Sequence, residues 1–310
     1  MIVTVTLNAA IDKTYTVESF GLDRVHRPSA ERSVAGGKGI NVARVLKELG
    51  QEALATGFVG GTNGDQILRG LDAEGLLHDF VRTAGESRLC IAVVDPAKGT
   101  QTEVNENGPE VSESEVEALR RKLQELTPKA EYLVLSGSTP PGVPSDLYAD
   151  VIAFAKERGV KAVLDTSGNP LSRGVTAGPF MAKPNIRELS ALKGRELLTL
   201  EEILGAARSL LGSGIEIVVV SMGRSGAIAA DGRESWQATP PEIEFVSAVG
   251  SGDALVAGFL DSLIRGRGLS EALRWGTAAG AANATICGAG FCRKEDIERL
   301  AGGVTLTRIR

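Results

Sequence analysis

The chain has 310 residues, of which 43 % are hydrophobic and 24 % charged, with a formal net charge of −5. Disorder needs low hydrophobicity and high net charge, so a folded chain of one large or two ordinary domains is expected. The acidic balance gives no general grip on nucleic acid and leaves room only for a local basic cleft that holds a small phosphate.

Two histidines, His26 and His78, exclude a multi-histidine metal site, and Cys90, Cys287 and Cys292 form no metal-binding spacing. The sparse, odd cysteine count suits a reducing compartment, and no segment approaches the ~20 apolar residues of a membrane helix. A cytoplasmic protein without membrane attachment is expected.

Along the chain, Ile2–Leu7 reads as a strand and Ile40–Leu49 as a helix, with Val42, Val45, Leu46 and Leu49 on one face. Tyr132–Ser136 is a strand, and Ser145 or Asp146 caps a helix that runs to about Arg158 and ends at Gly159. Lys161–Asp165 and Ile215–Val220 are further strands, and a helix covers about 252–264. Strands apolar at consecutive positions suit a parallel sheet buried on both faces, so the main body is an α/β domain with helices on either side. Residues 11–35 and 88–107 break this rhythm. They are short, polar and turn-rich, and Thr14–Val17, Leu89–Val94 and Thr102–Val104 read as strands of a small separate sheet.

Four clusters carry chemistry. Gly250-Ser251-Gly252-Asp253 opens the 252–264 helix, and amides at a helix N-terminus form an anion site. Asp253 in that turn either caps the helix or takes a proton from a hydroxyl. Ala35-Gly36-Gly37-Lys38-Gly39-Ile40-Asn41 opens another helix. It is neither a Walker A loop nor a dinucleotide fingerprint, and its backbone can approach a polyol closely while Lys38 and Asn41 supply polar contacts. Lys183-Pro184-Asn185-Ile186-Arg187-Glu188 places Asn185 and Glu188 on one helical face, either as a cap or as a holder of the waters of a hard cation. Ser221-Met222-Gly223-Arg224-Ser225-Gly226 follows the strongest strand and reads as a strand-to-strand turn.

In this order, and together with Thr6-Leu7-Asn8, Asp12 and Leu135-Ser136-Gly137-Ser138, these clusters resemble the PfkB (ribokinase-like) carbohydrate kinase family over the whole chain, nearest to its phosphosugar kinases. The resemblance implies a three-layer α/β/α fold with a mainly parallel sheet. The core would take residues 1–10, 36–87 and 108–310, and a discontinuous β lid would take 11–35 and 88–107. It implies ATP- and Mg²⁺-dependent phosphorylation of a sugar hydroxyl, with fructose 1-phosphate ahead of tagatose 6-phosphate and fructose 6-phosphate. Asp253 would be the base, and the backbone of Gly250, Ser251 and Gly252 the anion hole. Asp12, Gly37, Lys38 and Asn41 would bind the sugar. Arg88, Ser136 and Arg27 would serve its phosphate, because a guanidinium fork suits a terminal phosphate. Lys183, Asn185, Ser221, Gly223, Gly226 and Asn283 would line the nucleotide side, and Glu188 with Asn185 would act on Mg²⁺ through water. A homodimer paired through the lid is also implied. The wider family's DTxGAGD pattern carries Asp where this chain has Ser247, which leaves a monovalent-cation site at that position unsupported. A sugar-phosphate or nucleotide sensor without turnover is the competing reading from another class. A dinucleotide-dependent dehydrogenase is disfavoured, because no GxGxxG follows the first strand.

Overall fold

The computed structural model describes all 310 residues. Strand β1 (Ile2–Thr6) is followed by β2 (Ala10–Thr16), β3 (Ala30–Gly36), helix α1 (Lys38–Glu48), β4 (Ala53–Gly60) and α2 (Gly61–Ala73). Short strands β5 (Leu77–His78) and β6 (Val81–Thr83) lead to the hairpin β7 (Arg88–Asp95) and β8 (Thr100–Asn105). Next come α3 (Glu113–Leu126), β9 (Tyr132–Ser136), α4 (Leu147–Lys156), β10 (Lys161–Asp165), α5 (Gly168–Thr176) and β11 (Met181–Ala182). Helices α6 (Ile186–Lys193) and α7 (Leu200–Leu211) precede strands β12 (Ile217–Ser221), β13 (Ala227–Ala230) and β14 (Ser235–Thr239). The chain ends with α8 (Ser251–Ile264), α9 (Leu269–Ala284), α10 (Lys294–Ala301) and β15 (Thr305–Arg308).

The large sheet has the order β15-β14-β13-β12-β11-β10-β9-β1-β4-β5, with β6 added to β4. Pairing is parallel from β12 through β4, and the β12–β13, β13–β14 and β14–β15 pairs are antiparallel. The central strands are apolar on consecutive positions because both faces are covered. Ile2, Tyr132 and Val134 enter one buried cluster, with α1, α8 and α9. Val3, Val5, Leu133 and Leu135 enter the other, with α3, α4 and α7. This is the expected three-layer α/β/α arrangement. No helix is long and apolar enough to cross a membrane.

The second sheet has the order β3-β2-β7-β8. It is built from the two segments that lack helical periodicity, and β2 pairs with β7 in parallel, Asp12 opposite Cys90. Sequence reading placed its first strand at Thr14–Val17 and read no strand at 30–36. The structure starts β2 at Ala10 and adds β3, so Ala10 and Gly36, assigned to the core, lie in this smaller sheet. The helix expected to run from about 145 to 158 is two to three turns of α4, and Asp146 precedes it without a side-chain cap bond.

Candidate active site

The carboxyl ends of β1, β9 and β10 point at the N-termini of α1 and α8, and the smaller sheet covers the gap. Such a crevice is where open α/β sheets place ligands. Two adjoining cavities fill it. One of about 300 Å³ is walled by Asp12, Lys38, Asn41, Arg88, Gly252 and Asp253 among others. The other, about 180 Å³, has no hydrophobic residue in its wall and includes Asn8, Ser136, Ser138, Thr166 and Glu188. Lys38 and Arg88 line both.

The first turn of α8 decides what Asp253 does. Gly250 precedes the helix in a left-handed conformation (φ +82), and no side chain caps the turn. A Cβ there would also sit 2.6 Å from Ala289 Cα, so the turn admits only glycine. Asp253 is therefore not a cap. Its Oδ2 accepts from Asn41 Nδ2 at 2.8 Å. The amides of Gly250, Gly252 and Asp253 take no protein partner, whereas Ser251 N donates to Ala248 O. The Ser251 amide is thus already committed, and the amides this turn leaves free include that of Asp253, which sequence reading had not counted. Burial pushes the Asp253 carboxyl up to about 6, against the opposing pull of Lys38.

Asp12 lies across the same cavity, and burial raises it to about 6 despite Arg88 and Arg44. At the start of α1, Gly37 has φ +119, and a Cβ would meet Thr6 Cγ2 at 2.5 Å, which lets the backbone sit against the end of β1. Asp165, at the end of β10, is fully buried between Lys38 Nζ at 3.3 Å and Lys183 Nζ at 3.1 Å. The two ammonium groups hold its carboxyl below the usual range although burial opposes them, and Asp165 in turn raises Lys38. Lys183 Nζ lies 3.3 Å from where a Cβ on Gly252 would be, so this cation faces the helix N-terminus.

In the smaller cavity Arg88 donates from Nε to Asn8 O and from Nη1 to Glu106 O, which leaves Nη2 uncommitted. Ser136 Oγ and Asn8 Oδ1 are buried without partners. Buried polar atoms are normally satisfied, so this all-polar cavity is shaped for a polar ligand.

Several expected residues stand elsewhere. Arg27 is exposed in the β2–β3 connection and lines neither cavity. Asn283 is fully buried and at neither wall; it donates to Val249 O and accepts from Gly290 N, so it braces the glycine turn instead of lining a nucleotide pocket. Asn185 and Glu188 share a face through a capping box, each side chain accepting from the other's backbone amide. Glu188 alone reaches a cavity. Ser221, Gly223 and Gly226 lie at the β12–β13 turn outside both cavity walls, and Ser221 N donates to Pro184 O, which ties that turn to the Lys183 segment. Sequence reading missed Asp165, and it named Asn8 within Thr6-Leu7-Asn8 without giving it a role, although both sit at the ends of strands that it did identify. Cys90 lines the larger cavity with its thiol pushed up to about 11 by burial, unsuited to a nucleophile.

A carboxylate beside unbonded helix-terminal amides and two lysines, over a doubly wound sheet, is an arrangement suited to phosphoryl transfer. The description "pfkB family carbohydrate kinase" fits residues 3–296. The chain belongs to that family, whose members phosphorylate an alcohol group of a sugar. A 1-phosphofructokinase of Borreliella burgdorferi is 37 % identical over 301 residues, covering 97 % of this chain and 96 % of that protein. A tagatose-6-phosphate kinase of Staphylococcus epidermidis is 38 % identical over 287 residues, covering 92 % of each. The solved phosphofructokinase-2 of Escherichia coli aligns with a TM-score of 0.92 and 32 % identity over 97 % of this chain and 98 % of that one.

Proposed function

We propose that the protein is a 1-phosphofructokinase, moving the γ-phosphoryl group of ATP to fructose 1-phosphate to give fructose 1,6-bisphosphate and ADP. The observation that carries this reading is that Asp253 and the unbonded amides of the α8 first turn face one cavity. Asp253 accepts the proton of the sugar hydroxyl as it attacks. The amides of Gly252 and Asp253, with Lys183 beside them, donate to the oxygens of the group in flight. Phosphoryl transfer is mostly alignment and charge stabilisation, which fixed amides and ammonium groups supply without reorganising. Asp12, the Gly37 backbone and the second hydrogen of Asn41 Nδ2 hold sugar hydroxyls. The substrate's own phosphate fits the smaller cavity, against Arg88, Lys38, Ser136 and Asn8. The adenosine side of ATP runs toward Ser221, Gly223 and Gly226.

No group of three metal-ligating side chains is present. The residues fit Mg²⁺ held mainly by ATP phosphates and water, with Glu188 as the acidic side chain facing the site. The ion would neutralise charge between the phosphates. A homodimer through the smaller sheet and a cytoplasmic location, in keeping with three free cysteines, complete the proposal.

The test is ADP release with each sugar in turn. The highest kcat/KM is expected for fructose 1-phosphate, and a preference for tagatose 6-phosphate or fructose 6-phosphate would reassign the substrate. Asp253→Asn should lower kcat by about 10²–10⁴-fold with the KM for ATP little changed. Turnover near that of the parent would remove Asp253 from the base role.

A further inference from the structure

The Asn41 amide stands between Asp253 and Arg44. Its Nδ2 donates to Asp253 Oδ2 at 2.8 Å, and its Oδ1 accepts from Arg44 Nη1 at 2.9 Å. Arg44 is buried (8 % exposed) and lines neither cavity. Its guanidinium has five N–H groups, and five acceptors surround it. Nε and Nη2 donate to the two oxygens of Glu74 at 2.6 and 3.1 Å, and Nη2 also donates to Ala35 O at 2.6 Å. Nη1 donates to Ala289 O at 3.1 Å as well as to Asn41. The ring of Phe291 lies 4.4 Å from the guanidinium carbon.

A guanidinium can only donate, so it selects the oxygen end of the amide that faces it. The amide nitrogen is then turned toward Asp253. Rotating the amide by half a turn would set Oδ1 against the Asp253 carboxylate and NH₂ against Arg44, two repulsive contacts in a buried place. The same guanidinium holds the carbonyl of Ala289, the residue against which the Gly250 turn is packed.

We propose that Arg44 is a positioning residue for phosphoryl transfer: it locks the Asn41 amide with its N–H toward Asp253 and pins the segment behind the glycine turn, without touching substrate. The proposal rests on Asp253 being the base. Lys38 from α1, Lys183 after β11, Asp165 from β10 and Asp12 from β2 also act on Asp253 or its cavity, and the variants below leave all four in place.

The experiment compares Arg44→Met in the parent and in an Asn41→Ala background, with kcat followed from about pH 5 to 9 and folding checked by thermal melting. In the parent, Arg44→Met should lower kcat by about 10–100-fold and move its acid limb upward by about half a pH unit or more, because Asp253 loses a dependable donor. In the Asn41→Ala background the same change should add less than about 3-fold and no further movement, since residues acting through one another are not additive. Arg44→Lys should restore part of the limb position, because one ammonium can still face Asn41 Oδ1. If Arg44→Met does not fold, Glu74→Gln keeps Arg44 with a weaker brace and should move the limb in the same direction with a loss of a few fold. An unmoved limb in both Arg44→Met and Glu74→Gln, or an equal loss in the Asn41→Ala background, would overturn the proposal. Full turnover in Asp253→Asn would instead sink the base reading beneath it.

Discussion

Two carboxyls, Asp253 and Asp12, meet in one cavity, and burial raises both to about 6. A raised carboxyl means that the folded chain binds the proton more tightly than the unfolded chain. Their contribution to stability is therefore fully present below the unfolded value of 3.8 and is lost as pH rises through about 6, where the ionised form is held at full cost. At about 1.4 kcal/mol per pH unit, ionising Asp253 costs on the order of 3 kcal/mol at neutral pH. Asp253→Asn, which removes the charge and keeps the shape, should raise Tm by several degrees near pH 7.5 while lowering kcat as stated above. Near pH 3.5 the two melting curves should converge, and a Tm difference independent of pH would show that the carboxylate is not held against its preference. Activity runs the opposite way, because the base must be ionised, and kcat/KM should fall as pH drops through about 6. Arg88 tests the other cavity. With two donors already bound to Asn8 O and Glu106 O, it presents a fixed edge to a phosphate. Arg88→Ala should raise KM for the phosphosugar by about 10²-fold or more and leave KM for ATP within a few fold. Equal changes in both KM values would mean that the cavity is not the sugar-phosphate site.

Among the elements, α8 carries the site on a close crossing with α9. Gly258 and Gly276 allow it: a Cβ on Gly258 would fall 2.7 Å from Trp275 O, and one on Gly276 would fall 2.8 Å from Leu255 O. At its N-terminus, Gly250→Ala adds strain at φ +82 to a clash with the Ala289 backbone. This variant should lose about 10²-fold or more in kcat and about 1–3 kcal/mol in stability, read by assay and chemical denaturation. Wild-type kcat there would show that the turn is not an anion hole. The α8 turn was legible in the sequence because its signal is local: two glycines, then a carboxylate, opening an apolar helical stripe. Strand β3 was not, since Glu31, Arg32 and Ser33 show no apolar pattern and the strand exists through its register with β2. The Asp165 pair with Lys38 and Lys183, and the convergence of Arg44, Glu74 and Ala289, depend on segments far apart in the chain. Asn185-x-x-Glu188 was legible as a unit, yet spacing alone could not show that the two form a capping box while Glu188 also lines the smaller cavity.

Across the whole molecule, the smaller sheet is what separates this chain from a plain doubly wound domain. It reaches the glycine turn at two places. Ser247 Oγ is 3.1 Å from Gln101 Oε1 on β8, and Arg32 on β3 donates to Cys287 O while stacking 4.1 Å from the Phe291 ring. The sheet supplies much of the wall of the larger cavity, through Asp12, Arg32, Arg88 and Cys90 among others. Its periphery exposes three large apolar side chains. Leu22 and Val25 in the β2–β3 connection are 90 % and 87 % exposed, and Val104, paired with Ile91, is 63 % exposed on edge strand β8. Exposed apolar side chains beside an open strand edge favour pairing with another chain, and a second copy meets that need with closed symmetry. Val104→Glu places a charge on this face without entering the cavity, where Glu103 and Asn105 point instead. Light scattering should give a dimer mass for the parent and a monomer mass for the variant at micromolar concentration. Because the sheet also roofs the sugar cavity, KM for the phosphosugar should rise in parallel while KM for ATP stays nearly constant. A parent that is monomeric, or a variant that keeps the dimer mass, would place the contact between copies elsewhere or remove it.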